Sequence, residues 1–99
     1  MAAIYKNITG AATTTVITKA SGVSGNIRKI LIANVNTSNA VTITVDLNDG
    51  TNTYTLIKEI EIPVKSTLVL TDNVSFDSSI FNLRITTAGT SPNITTIIK

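Results

Sequence analysis

From Ala40 to Leu70 the chain reads as one continuous instruction for antiparallel β-structure. Val41, Ile43, Val45 and Leu47 alternate with Thr42, Thr44 and Asp46, a period of two that sorts apolar and polar side chains onto opposite faces of a strand. Asn48-Asp49-Gly50 follows as a hairpin signal, because Asp-Gly suits the positive φ angles of a tight turn. The return run places Tyr54 and Leu56 on one face and sets Glu59 and Glu61 among Ile60 and Ile62. It ends at Pro63, which has no amide hydrogen to give to a ladder. Ser66 to Leu70 makes a further short strand.

The rest of the chain repeats the pattern. Thr, Ile and Val make up 41 of the 99 residues, and β-branched side chains fit a pleated surface better than a helix. Ile4 to Ile8 reads as an edge strand and Thr13 to Lys19 as a second, with Val16 on one face and Thr15 and Ile17 on the other. Residues 20–26 read as a loop. Ile27 to Asn36 is apolar on both faces, Leu31, Ala33 and Val35 against Ile30 and Ile32, so it is expected to be a central strand covered on its second side within the domain or by a neighbouring subunit. Val74 to Phe76, a strand around Phe81, Leu83 and Ile85, and Asn93 to Lys99 complete the set. The expectation is a single domain over 1–99: an all-β, antiparallel β-sandwich, immunoglobulin-like or jelly-roll-like, of seven to nine short strands.

Composition removes many chemistries. Cysteine and histidine are both absent, and with them go disulfides, thiolate and imidazole metal sites, thiol nucleophiles and the usual base for a serine nucleophile. No cofactor is expected. The net charge of +2 comes from scattered cations, of which only Arg28 and Lys29 are adjacent. None of the four aromatic residues sits in a basic run, so nucleic-acid binding is not expected. The apolar run Ile30 to Ala33 is too short to span a bilayer, and the first residues lack the basic start and apolar middle of a signal peptide, so neither a membrane nor the usual export route is expected.

The acidic clusters read as structure. Asp46 to Gly50 crowds oxygen ligands into a turn, but a helix–loop–helix calcium loop needs a ligand where Gly50 stands and a glutamate where Ile57 stands. Asp72, Asn73 and Asp77 are the residue types that turns use for backbone hydrogen bonds. Glu59 and Glu61 have the two carboxylates of a glycosidase, yet they fall on the solvated side of a half-buried strand. Four Asn-x-Ser/Thr matches, at Asn7, Asn36, Asn73 and Asn93, are close to the number chance supplies in a chain so rich in these residues. No enzyme is expected.

Five segments together resemble a known group: Ile27-Arg-Lys-Ile-Leu-Ile-Ala-Asn34, Ala40-Val-Thr-Ile-Thr-Val-Asp-Leu47, Tyr54, Ile60-Glu-Ile-Pro63 and Ser66-Thr-Leu-Val-Leu70. Over roughly residues 13 to 86 the pattern resembles the small β-sandwich structural proteins of tailed bacteriophage particles. The resemblance implies a protein carried in many copies on a virion: a capsid decoration (cement) subunit bound to the major capsid protein, or a neck, tail or fibre component. It also implies a homo-oligomer such as a trimer. A carbohydrate-binding or host-attachment module is the alternative, with Tyr5 or Tyr54 as its aromatic platform. The segments expected to touch a partner are Ala2, Ala3, Ile4, Tyr5 and Lys6, then Arg28 and Lys29, and the hairpin tip Asn48, Asp49, Gly50 and Thr51. The terminal strands Ile4 to Ile8 and Asn93 to Lys99 are expected to be free to extend a partner's sheet.

Overall fold

The alternating runs resolve into ten strands, described over residues 3–71 and 74–99 of a computed structural model. In chain order they are β1 (Ile4–Thr9), β2 (Thr13–Ile17), β3 (Ser24–Ile27), β4 (Ile30–Asn34), β5 (Val41–Asn48), β6 (Thr53–Ile62), β7 (Thr67–Leu70), β8 (Val74–Asp77), β9 (Asn82–Ala88) and β10 (Asn93–Ile98). One rule governs their pairing: β1 with β10, β2 with β9, β3 with β8, β4 with β7 and β5 with β6, all antiparallel. The chain is thus a single long hairpin with its apex at the β5–β6 turn. A flat ribbon of this kind would leave its apolar face in water, so it rolls up, and β10 also takes β4 while β9 also takes β5.

Rolling makes two four-stranded sheets, β1-β10-β4-β7 and β2-β9-β5-β6, and leaves β3-β8 as a two-stranded ribbon. This order is that of a jelly roll and not of an immunoglobulin sandwich. Ile8, Ile30, Ile32, Ile94 and Ile98 from the first sheet meet Ile17, Val41, Ile43, Val45, Leu47, Ile62, Leu83 and Ile85 from the second in one core. Ile27 and Phe76 of the ribbon close it at one end, each no more than 2 % exposed. Each such side chain contributes roughly 1.5–3 kcal/mol by leaving water.

Several sequence expectations change in the fold. The strand count is ten, one more than the expected upper limit, because the segment Ile27 to Asn36 is not one strand. It breaks at Arg28 and Lys29, whose amides both donate to the Lys99 carbonyl at 2.8 and 2.7 Å, and the chain leaves the β3-β8 ribbon there to enter the first sheet. Part of the expected loop 20–26 is therefore strand. The terminal segment Asn93 to Lys99 is no free edge: β10 lies between β1 and β4, with both sides of its backbone taken. In β2 a bulge between Thr15 and Ile17 turns half-buried Val16 and buried Ile17 both inward, instead of onto opposite faces.

The second sheet departs from simple alternation as well. Asp46, expected on the polar face toward water, is 4 % exposed and accepts a 2.7 Å bond from Nε of Arg84, its neighbour across the ladder. Register shifts opposite Val45 bend β6 twice. At the second, Glu59 takes a left-handed φ of 51° and its amide donates to the Thr44 hydroxyl at 3.1 Å. Bulges of this kind leave residues outside the ladder, and Ile60 is 44 % exposed although its partner Ile43 is fully buried.

The two sheets are tied at one end by Asn34, the last residue of β4 and 2 % exposed. Its side-chain amide donates to the carbonyls of Asn39 and Ile62, both at 3.0 Å, while its oxygen accepts from the Asn36 amide at 3.0 Å. Thr87 makes a similar tie between β9 and the β1–β2 crossing, donating to the Gly10 carbonyl at 2.7 Å. Among the described residues no buried side-chain nitrogen or oxygen lacks a partner. The Asn34 side chain also donates to the Pro63 carbonyl at 3.2 Å, so Asn34→Ala strips partners from four backbone groups, and the cost expected in urea denaturation is about 2–3 kcal/mol. Tyr5→Ala, on the surface, is expected to stay within about 0.5 kcal/mol.

Candidate interaction surface

The expected contact segments gather at one end of the jelly roll. β4 and β5 run antiparallel in different sheets, joined by the short 35–40 connection, so the start of β4 and the end of β5 lie at the same end. Ile4, Ile98, Ile30 and Leu70 form the last paired row of the first sheet there, next to Arg28 and Lys29. Ala2 lies outside the described residues. Ala3 is exposed, and Ile4 is half-buried and packs against the core. Tyr5 is 71 % exposed.

The hairpin tip, at the same end on the second sheet, spends most of its polar groups on itself, with the Asp49 carbonyl taken by Nζ of Lys19 at 3.1 Å. The Asp49 carboxylate accepts from the Thr51 and Asn52 amides at 2.8 and 2.6 Å, and Asn48 accepts from the Gly50 amide at 3.0 Å. Gly50 carries the positive φ, 98°, that the turn demands. The turn is a four-residue loop closed by side chains instead of a tight two-residue one. Those two amides, Asn52 first, hold the Asp49 carboxyl below its ordinary range. Asp77 is lowered in the same way by the Ser79 amide and hydroxyl. Asp72 and Asn73 lie outside the described residues, and among the described residues no three His, Cys, Asp or Glu side chains gather to hold a metal. Glu59 and Glu61 are both exposed on β6.

The surface that sequence reading only half found is the outer face of the first sheet. Tyr5, Ile97, Leu31 and Val69 stand in one register row across all four strands, and Asn7, Thr95, Ala33 and Thr67 in the next. Neither row holds a charged residue. Val69 and Val35 are each 46 % exposed. Thr95 donates to Asn7 at 2.7 Å, so the polar members satisfy one another. The doubly apolar β4 pointed to this face from sequence, but its lateral extent depends on β10 lying beside β4, which no local pattern reveals.

The sheet edges are closed to pairing by other means. Lys6 on edge strand β1 shares the inward parity of Ile4 and Ile8, and an inward-pointing charge on an edge strand opposes pairing with another chain. Edge strand β7 is four residues long, β2 carries a bulge, and β6 carries two with Lys58 and Glu59 beside them. The expected extension of a partner's sheet by Ile4 to Ile8 is thus opposed by Lys6.

A comparison with protein-family models finds no match for the chain, and a comparison with curated proteins finds none either.

Asp49 and Asp77 give the structure an acid-sensitive boundary. Both carboxyls are held below the ordinary aspartate value of 3.8 when folded, so the stability they supply is present above that value and is lost as pH falls through the folded one. Denaturation midpoints are expected to be level from pH 7 to 5 and to fall below about pH 4. Asp49→Asn with Asp77→Asn keeps an acceptor at each turn and is expected to flatten that part of the fall.

Proposed function

We propose that this chain is a structural, non-enzymatic virion protein of a tailed bacteriophage, a capsid decoration (cement) subunit seated on the outer capsid surface. Neck, tail and fibre positions use the same kind of contact and differ in copy number, hundreds per particle for a capsid subunit and a dozen or fewer for the tail. The observation that carries the reading is the charge-free outer face of the first sheet, bounded by edges that resist strand pairing. Such a module associates through a face, by side-chain packing, and needs no chemistry to do so. The jelly roll is a fold that capsid domains share with lectins, which supports the reading by analogy alone. A second reading, carbohydrate attachment, has one observation in its favour: the Tyr5 ring is open to solvent, whereas Tyr54 is engaged edge-on with Phe81 at 5.9 Å.

Added back to particles that lack it, the purified protein is expected to co-sediment with them and to restore their resistance to heat. Val69→Lys changes an exposed side chain on a short edge strand, so the melting temperature is expected to hold while particle binding falls about tenfold or more, equivalent to ~1.4 kcal/mol. No binding by the unaltered protein, or equal binding by the variant, overturns the assignment of the face. Strong signals on a glycan array that vanish in Tyr5→Ala favour the second reading instead.

A further inference from the structure

The ladder of the first sheet continues one pair beyond its last strand row. The Lys29 amide donates to the Lys99 carbonyl at 2.7 Å and the Lys99 amide donates to the Lys29 carbonyl at 2.9 Å, the mutual exchange of a hydrogen-bonded antiparallel pair. Two lysines therefore stand directly opposite each other. Like charges in that relation repel, and Arg28, whose amide is bonded to the same Lys99 oxygen, lines one cleft with the two lysines. Three of the eight lysines and arginines in the chain meet here, although two of them are seventy residues from the third.

These residues line a cleft of about 580 Å³ together with Gly25 and Asn26 of β3. Neither Asp nor Glu is among its lining residues, and among the described residues the ion pairs are Lys58 with Glu59 and Arg84 with Asp46, so neither engages the cleft. Asp77, on the ribbon strand paired with β3, points its carboxylate at the Ser79 amide at 2.9 Å and lines a different, smaller cleft. Residues 29, 31 and 33 and residues 95, 97 and 99 alternate along their strands, so Lys29 and Lys99 carry on the parity of Leu31 and Ile97 and border the charge-free face.

We propose that the Arg28, Lys29 and Lys99 cleft binds the carboxylates of an acidic segment on the protein that covers the neighbouring sheet face. The inference deepens the reading of that face as a docking surface and rests on it. Repulsion within the trio is relieved when carboxylates lie between the cations, and the three backbone bonds hold the main chain of Arg28, Lys29 and Lys99 together before binding, so only the side chains have to be ordered on contact. A nucleic-acid backbone is disfavoured by the surroundings: the lining has no aromatic side chain on which a base could stack.

The test is titration of the ¹⁵N-labelled full chain with hexaglutamate, with hexaglutamine and a six-nucleotide single-stranded DNA as comparisons. Hexaglutamate is expected to move the amide signals of Gly25, Asn26, Arg28, Lys29 and Lys99 saturably, and hexaglutamine to leave them in place. Arg28→Glu with Lys29→Glu is expected to weaken hexaglutamate binding about tenfold or more. Arg28→Gln with Lys99→Gln, which adds no new charge, is expected to weaken it about threefold or more, and the amide spectrum reports that each variant is folded. Shifts spread equally over Lys6, Lys19, Lys58 and Lys65, equal binding by the variants, or tighter binding of the DNA overturns the proposal. The titration contains no particle, so its failure is separate from failure of the sedimentation experiment.

Discussion

The nested pairing of strands is the constraint on which the rest of the structure depends. Each strand of the first half meets its mirror in the second, and each pair encloses the next. Only the innermost pair, β5 with β6, is local in sequence, and it is also the longest, with its loop closed by Asp49 and Asn48. Once that pair exists, β4 and β7 are separated by a short path, and the entropy of closing each outer pair is that of a small additional loop. Pairing of Ile4 with Ile98 without the inner ladders would close nearly the whole chain at once. The same nesting explains why the fold needs no disulfide: every strand is held by at least one neighbour, and β4, β5, β9 and β10 by two.

Where the sequence was legible, a local rule and the tertiary structure agreed. Val41 to Leu47 and Leu83 to Ile85 alternate because one side of each strand meets the core, and the buried positions are the ones that alternation selects. The departures have physical causes that act over long distances. Arg28 and Lys29 look like the middle of a strand until the Lys99 carbonyl, far away in sequence, accepts both their amides. Asp46 follows the polar parity, yet Arg84 from β9 covers it and supplies its counter-charge. Ile60 is apolar and paired with a core residue, yet it stands 44 % exposed on edge strand β6 next to the left-handed backbone at Glu59. In the candidate surface, β4 gave itself away by being apolar on both faces, whereas Lys99 joining Arg28 and Lys29 had no sequence signal at all.

Asn34 shows how one motif position serves both packing and topology. The apolar pattern carries the strand through Asn34 to Asn36, but β4 ends at Asn34, whose oxygen accepts from the amide of Asn36. Its nitrogen meanwhile reaches carbonyls at Asn39 and Ile62, one in the crossover to the second sheet and one on that sheet's edge. A buried amide so placed fixes where the roll closes. An aliphatic residue of similar size would keep the burial and lose the address.

Charge placement and surface area together say how such a module can work. The outer face of the first sheet spans four strands at about 4.8 Å spacing and about five residues at ~3.3 Å, so it offers on the order of 300 Å². A stable standard interface buries about 800 Å² on each partner. The face alone therefore supports a weak contact, and the cationic border adds orientation more than strength. Weak, oriented contacts become durable when the copies that engage a repetitive surface are joined to one another, because each bound copy then raises the effective concentration of the next. A rigid domain with blocked edges suits that arrangement, since the open strand edges that would let copies aggregate are the ones Lys6 and the β6 bulges close.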